Sequence, residues 1–489
     1  MAELKDSYDA VVIGAGIGGL TCGALLARNR RSVLVAEQSS QPGGCCASFK
    51  HGGYLFDKGV CYLTGCEPGG AIYEILEDLG LRRKIELVKM EPAIRIIGSD
   101  YDLRISSAES LEDRLIKLFP MEAMAIREFV AECRATTTEM ERLSRTSFDL
   151  MNVWQKVAFM VTSLFKYRRT MKYMKKSWQE VVDSFLQNEK LRAIVLSTYP
   201  YNGLGAMAGV MMVLGNTNGF YYPKGGLQVL ADLLSDGLRE YDGDLALDTR
   251  VNKIVVEGNR AAGVELSDGR RVKARYVVSN VDARQTFLKL VGEKRLPRKF
   301  RRDLDESPVS PSAFIVSLGV RLNLKAMGFG VVYNIYNPSN DIGELFGIDP
   351  EKCIMSIIMH SIIDPSQAPG SNTTVQLMAM LPYHMVKDWR AAEEAIADKL
   401  IASAEKVIPR LSKHIICKHI ISPLTFEQST LNSQGATLGW QLIPGGKIRS
   451  QKTPIKNLYQ AGHWTFPGGG VFQVVTSGRN AAQLVLRGG

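Results

Sequence analysis

The chain has 489 residues, 45% of them hydrophobic and 22% charged, with a formal net charge of +10. That supplies a sizeable core in two or three domains, and the eight cysteines, adjacent at Cys45–Cys46 and otherwise scattered, exclude a secreted disulfide framework and point to a reduced, intracellular protein. No nucleic-acid module accompanies the positive charge, and Cys61 and Cys66 have no His or second Cys pair nearby, so neither nucleic acid nor a metal is expected.

The first strand is expected from Tyr8 to Ile13, behind a charged lead of Glu3, Lys5 and Asp6 that has no signal or transit character. It meets the turn Gly14-Ala15-Gly16-Ile17-Gly18-Gly19, and Leu20 to Ala27 then reads as helix. In such a unit Gly14 permits the sharp turn, Gly16 clears room for a pyrophosphate and Gly19 lets helix and strand pack closely. The helix N-terminus offers free N–H groups and a favourable dipole to the anion. A second strand, Ser32 to Ala36, ends in Glu37, placed to accept hydrogen bonds from ribose hydroxyls and to repel a 2′-phosphate. NAD and FAD both satisfy these residues; NADP does not.

Gln41-Pro42-Gly43-Gly44 follows, then a hairpin over Phe49 to Gly59. Residues 85–220 show mostly helical spacing. Within them, Leu150 to Gln179 contains no acidic residue, while Lys156, Lys166, Arg168, Arg169, Lys172, Lys175 and Lys176 are interleaved with aromatics and Met. This stretch reads either as an interfacial helix for anionic lipid, the favoured reading, or as a solvated face over a buried Met-rich stripe. A second basic cluster, Lys294 to Arg302, adds to the attraction. The longest uncharged run, Ala193 to Pro223, is interrupted by Pro200, Gly203 and Gly205, and its apolar part, Ala206 to Leu214, is too short to span a bilayer. It is expected to be a buried helix, so membrane attachment would be peripheral and the protein cytoplasmic.

Strands at Leu245 to Asp248 and Val251 to Val256 open a β-meander that continues through Ala262 to Leu266 and the Asp268-Gly269 turn. Residues 305–440 mix strands with a helix near Ala391 to Val407. A second glycine-rich segment closes the chain, Ala461-Gly462-His463-Trp464-Thr465-Phe466-Pro467-Gly468-Gly469-Gly470. Tyr62, Tyr222, Trp440, Trp464 and Phe472 are candidates for side chains near a cofactor ring or an extended apolar substrate. No hydrolytic constellation and no catalytic residue stands out, and no residue specifies an oligomeric state.

The glycine turn, Gly43-Gly44, Phe56-Asp57-Lys58-Gly59, Tyr221 to Leu227, Val277 to Asp282 and Gly462 to Ala482, in that order along nearly the whole chain, resemble the amine oxidase and phytoene desaturase superfamily of flavoproteins. Within it the chain is most similar to the branch of phytoene desaturases, carotenoid cis-trans isomerases and retinol saturases. The resemblance implies an α/β fold, a Rossmann-like FAD-binding domain of amine-oxidase type (1–85, 220–290 and 441–489) interleaved with a mixed α+β substrate domain (86–219 and 291–440), with 150–179 the membrane-contact segment. It implies FAD contacts from Gly14, Gly16, Ile17, Gly18, Gly19, Glu37, Gln38, Gly43, Gly44, Cys45, Val251, Asn280, Gly462, His463, Gly469, Gly470, Val471 and Phe472. Two positions depart from the pattern: Cys45 stands where the superfamily often has Arg, and His463 where it often has an acid. His463 would donate to the pyrophosphate, line the flavin pocket or be a satisfied loop imidazole.

The implied activity is FAD-dependent redox chemistry on carbon–carbon double bonds of a long apolar polyene or isoprenoid, with hydride exchange at flavin N5. Two alternatives are an amine-oxidase-like or protoporphyrinogen-oxidase-like enzyme with a smaller substrate, and a non-catalytic prenyl-lipid binder like the Rab GDP-dissociation inhibitors. Glu37 and the C-terminal glycine segment argue against the last, which has no use for FAD.

Overall fold

The computed structural model describes residues 4–144, 148–198, 205, 219–339, 341–345, 349–447 and 449–488. Two seven-stranded sheets organise it. The first runs Val251–Glu257, Arg260–Leu266, Arg271–Ser279, Ser7–Ile13, Val33–Ala36 and Asp244–Ala246, with Leu458–Gln460 also paired to Arg271–Ser279. Its centre is parallel and its strands read as continuous apolar runs, as burial on both faces requires. Helices Ile17–Arg28, Gln228–Glu240 and Val471–Arg487 bury their apolar sides in one core, and the meander closes over the other.

The register of this sheet positions everything that follows. Ile13 pairs with both Ala36 and Ser279, and Ser279 pairs with Gln460. Four strands therefore end level, and their next residues, Gly14, Glu37, Asn280 and Ala461, leave the same edge side by side. In an open parallel sheet that carboxyl edge is where ligands bind.

The second sheet runs Ile415–Ile421, Ser312–Val320, Thr373–Leu381, Met355–Ile358, Tyr333–Tyr336, Ile94–Ile97 and Asp102–Ile105. Helix Trp389–Ala404 packs into its core. A hairpin, Ser48–His51 with Tyr54–Asp57, and the pair Leu87–Met90 with Phe220–Pro223 lie outside both sheets.

Three expectations change. Residues 87–105, expected to be helical, form three strands, because their short β-branched runs pair with remote partners such as Tyr333–Tyr336. The segment expected as one interfacial helix is two, Val153–Lys166 and Arg168–Tyr173, with a break at Tyr167. Its methionines are not a buried stripe: Met160 and Met171 are exposed. The Ala206 to Leu214 helix lies outside the described residues. Among the described residues no helix is long and apolar enough to cross a membrane, and no His, Cys, Asp and Glu cluster could hold a metal. All eight cysteines are free.

Candidate FAD site

The first glycine turn is the floor of the site. Gly14 turns the chain with φ +93°, a conformation that L side chains rarely adopt. Helix Ile17–Arg28 then starts at Gly16 with no side-chain cap, so its first N–H groups are free for an anion.

Glu37 ties the second strand to this turn. Its Oε2 accepts the Ala15 N–H at 2.7 Å and its Oε1 accepts the Ser39 N–H at 2.9 Å. Each carboxylate oxygen keeps a second lone pair, so bonds to ribose hydroxyls add to these rather than replace them. Val251 begins its strand just after Thr249, whose N–H donates to the Glu37 carbonyl at 2.7 Å. Gln38 instead reaches away, its amide 3.5 Å from the Ser429 carbonyl.

Gly43 closes on the turn from the side. Its N–H donates to the Ala15 carbonyl at 2.8 Å, and Gly16 and Gly43 form an isolated parallel bridge. A Cβ on Gly44 would lie 3.5 Å from Gly16 Cα, so the glycine pair is an extension of the same cradle. Cys45 follows, half-buried, its thiol pushed up to about 11 by burial. It is therefore neutral at pH 7 and supplies no cation where the superfamily often has Arg.

Asn280 and Gly462 form the opposite wall. A Cβ on Gly18 would stand 2.7 Å from Asn280 Oδ1 and 3.1 Å from Gly462 Cα, and one on Gly16 would stand 2.9 Å from Asn280 Nδ2. Asn280 Nδ2 makes one long contact, 3.4 Å to the Gly14 carbonyl, while its Oδ1 is buried with no partner. A buried acceptor left open beside free helix N–H groups and a backbone cleared of side chains fits a bound dinucleotide. Gly469 and Gly470 lead into helix Val471–Arg487, which packs on Ile17–Arg28 so closely that a Cβ on Gly478 would sit 2.2 Å from the Gly18 carbonyl. Phe472, in the first turn of that helix, lies over Gly65, with Cδ2 3.3 Å from where a Cβ would be.

His463 is half-buried between Gly439 and Trp464, and desolvation lowers it to about 4. It is neutral at pH 7, so a contact to phosphate would be one N–H donation with no cationic charge. Of the aromatic candidates, Tyr62 is half-buried and stacked on Phe220 with centroids 3.8 Å apart. Trp464 is fully buried, its Nε1–H donating to Asn432 Oδ1 at 3.2 Å. Trp440 donates to the Trp464 carbonyl at 3.0 Å, and the Arg449 guanidinium lies 4.5 Å over its ring.

Tyr222 belongs to a buried polar network that sequence reasoning missed. Its hydroxyl donates to Asp57 Oδ2 at 2.5 Å and accepts from Gln367 Nε2 at 2.7 Å. Asp57 Oδ1 also accepts from the Ser48 hydroxyl at 2.5 Å and the Leu227 N–H at 3.0 Å. His360 stacks on Tyr222 at 4.0 Å and donates from Nε2 to the Cys61 carbonyl at 2.7 Å. Burial lowers the His360 pKa, opposed by the nearby Asp57 and Asp364. The network fastens the loop after the hairpin, which carries Cys61 and Tyr62, to the second sheet. Asp57 and Tyr222 each lay in a recognisable motif, but neither motif showed that they meet, and Gln367 and His360 lay in none.

Known proteins resemble this chain along nearly its whole length. The chain is 26% identical over 502 residues to the neurosporene-forming phytoene desaturase of Rhodobacter capsulatus, covering 97% of this chain and 93% of that protein. It is 26% identical over 515 residues to the chloroplastic prolycopene isomerase 2 of an Oncidium hybrid, covering 99% and 84%. The crystal structure of an oxidoreductase from Methanosarcina mazei superposes with a TM-score of 0.65 at 17% identity, covering 97% of this chain and 99% of that one. The family described as flavin containing amine oxidoreductase matches residues 17–486. The chain belongs to that family and is an FAD-dependent oxidoreductase.

Proposed function

We propose that this flavoenzyme acts on carbon–carbon double bonds of a long apolar polyene or isoprenoid, working at the cytoplasmic surface of a membrane. The observation that carries the substrate class is the near-complete alignment with a phytoene desaturase and a prolycopene isomerase. Bound FAD supplies a two-electron redox couple. The glycine turns, Glu37 and Asn280 hold its dinucleotide, and the Asp57–Tyr222–His360 network fixes the Cys61–Tyr62 loop beside the second sheet. The first sheet with its glycine walls is the cofactor lobe, and the second sheet belongs to the substrate lobe.

The membrane part of the reading is supported by helix Val153–Lys166. Trp154 and Phe165 are each 82% exposed, and Val153, Met160 and Val161 are exposed beside them. Lys156, Lys166, Arg168, Lys175 and Lys176 form no ion pair among the described residues, while Arg169 and Lys172 are paired to Glu132. Exposed apolar side chains flanked by unpaired cations suit the headgroup and acyl boundary of an anionic bilayer.

Anaerobic incubation of the flavin-loaded protein, in both its oxidised and its pre-reduced state, with phytoene, a poly-cis carotene and retinol, followed by chromatography, tests the substrate class. A product with more conjugation means desaturation, a geometric isomer of unchanged hydrogen content means isomerisation, and a product with fewer double bonds means saturation. No product from any of the three contradicts the reading.

A further inference from the structure

The basic segment 150–176 is fastened near both its ends to one loop. At its start, Asp149 Oδ2 accepts the Ser450 hydroxyl at 2.6 Å and the Gln451 N–H at 2.9 Å. Near its end, the Met174 carbonyl accepts the Gly445 N–H at 3.0 Å. The same loop holds the second basic cluster on its other side. Lys447 pairs with Asp303 at 2.9 Å, and Arg449 donates to the Asp303 carbonyl at 2.6 Å and the Ser307 hydroxyl at 2.7 Å, at the end of helix Arg298–Glu306. Two basic elements far apart in sequence thus converge on the loop from Gly445 to Gln451.

Just ahead of it the chain exposes Leu442 and Ile443, 43% and 38% accessible. A hydrophobic pair at a loop tip usually folds inward, since each buried side chain is favourable by about 1.5–3 kcal/mol. Here the loop backbone is already fixed by its hydrogen bonds, and the pair stays outside. Leu442 also sits at the C-terminal glycine wall: a Cβ on Gly468 would lie 4.0 Å from its Cδ2.

We propose that Leu442 and Ile443 form a second membrane-inserting element, a wedge that enters an anionic bilayer beside the basic segment and sets the glycine wall of the FAD site against the lipid. This rests on the membrane reading above and adds to it a second point of attachment. Charge complementarity selects the occupant. Lys175 lies beside the loop, its Cγ 3.9 Å from where a Cβ on Gly445 would be, and Lys175 and Lys176 form no ion pair among the described residues; nor do Lys294, Arg295, Arg298 and Lys299, at the start of the helix whose end the loop holds. One contact alone leaves an amphipathic helix free to rock on the surface; two contacts joined by a fixed loop give the protein one orientation.

The test compares the flavin-loaded wild type with two double variants, Leu442→Glu with Ile443→Glu, and Trp154→Glu with Phe165→Glu, in cosedimentation with vesicles of phosphatidylcholine and phosphatidylglycerol. All four side chains are exposed, and unchanged flavin absorption reports that each variant is folded. The proposal expects the Leu442/Ile443 variant to bind at least about tenfold more weakly than wild type, with Lys294→Gln and Lys299→Gln adding a salt-dependent loss. Wild-type binding that is lost in the Trp154/Phe165 variant and unchanged in the Leu442/Ile443 variant overturns the wedge and leaves the membrane reading standing. Unchanged vesicle binding with loss of a wild-type dimer assigns the patch to a second copy of the chain and overturns the wedge. No vesicle binding by wild type removes both readings.

Discussion

Glu37 accepts the Ala15 amide at 2.7 Å through Oε2, so the acid at the end of the second strand is bonded to the glycine turn proposed to hold the pyrophosphate. In the proposed dinucleotide site, one side chain therefore links the ribose end to the phosphate end. Replacing Glu37 with Ala is expected to cost about 1.5–3 kcal/mol of FAD binding for the lost hydrogen bonds to a charged group, roughly ten- to a hundredfold in affinity. Titration of apoprotein with FAD measures it, and Glu37→Gln, which keeps one acceptor oxygen, should fall between. Unchanged affinity in Glu37→Ala would remove the ribose assignment.

Tyr222→Phe deletes one hydrogen bond to the buried Asp57 carboxylate and leaves Gln367 Nε2 without its partner at 2.7 Å. The expected loss is about 1.5–3 kcal/mol of stability, seen as a lower urea midpoint with an unchanged slope. Asp57→Ala should cost more, because the Leu227 N–H and the Ser48 hydroxyl lose their acceptor together. A Tyr222→Phe variant as stable as wild type would show that Asp57 is satisfied without the phenol.

Gly478→Ala places a Cβ 2.2 Å from the Gly18 carbonyl, whereas at Gly330 a Cβ meets nothing within 4 Å. The first should force the Val471–Arg487 and Ile17–Arg28 helices apart, losing about 1–3 kcal/mol and loosening the FAD site with them. The second should be close to neutral. Thermal unfolding with and without FAD separates the two, and equal midpoints would contradict the tight helix contact.

His463 is lowered to about 4 by desolvation, against about 6.5 in an unfolded chain. The folded protein then binds fewer protons than the unfolded one between those values, so stability falls as pH drops through that window and is fully present above it. The difference in stability between wild type and His463→Gln should be flat above pH about 6.5 and shift against wild type toward pH about 4. A difference independent of pH would mean that His463 titrates normally.

What was legible in the sequence was local or bounded by glycine. The first strand, turn and helix span Ser7 to Arg28 with every punctuating residue in place, and the hairpin after Gly44 and the meander from Val251 carry their own turns. Residues 87–105 misled because short apolar runs fit either period, and their strand identity comes from partners such as Tyr333–Tyr336, more than two hundred residues away. The Asp57–Tyr222–His360 network was hidden for the same reason, since Asp57 and Tyr222 lie in separate motifs that nothing in sequence pairs until the fold brings them to 2.5 Å. The two basic clusters were each visible, but nothing in sequence joins them; that takes the contacts of Lys447 and Arg449 with Asp303 and of Gly445 with Met174.

The central claim is an FAD enzyme that exchanges reducing equivalents with a polyene. Its most direct test is the visible absorption of the flavin-loaded protein, recorded anaerobically as one substrate at a time, phytoene, a poly-cis carotene or retinol, is added in detergent, to both the oxidised and the pre-reduced protein. The account predicts that one of them bleaches the oxidised flavin, reoxidises the reduced flavin, or is isomerised only while the flavin is reduced. A flavin spectrum unmoved by all three in either state, with every polyene recovered intact, would contradict it.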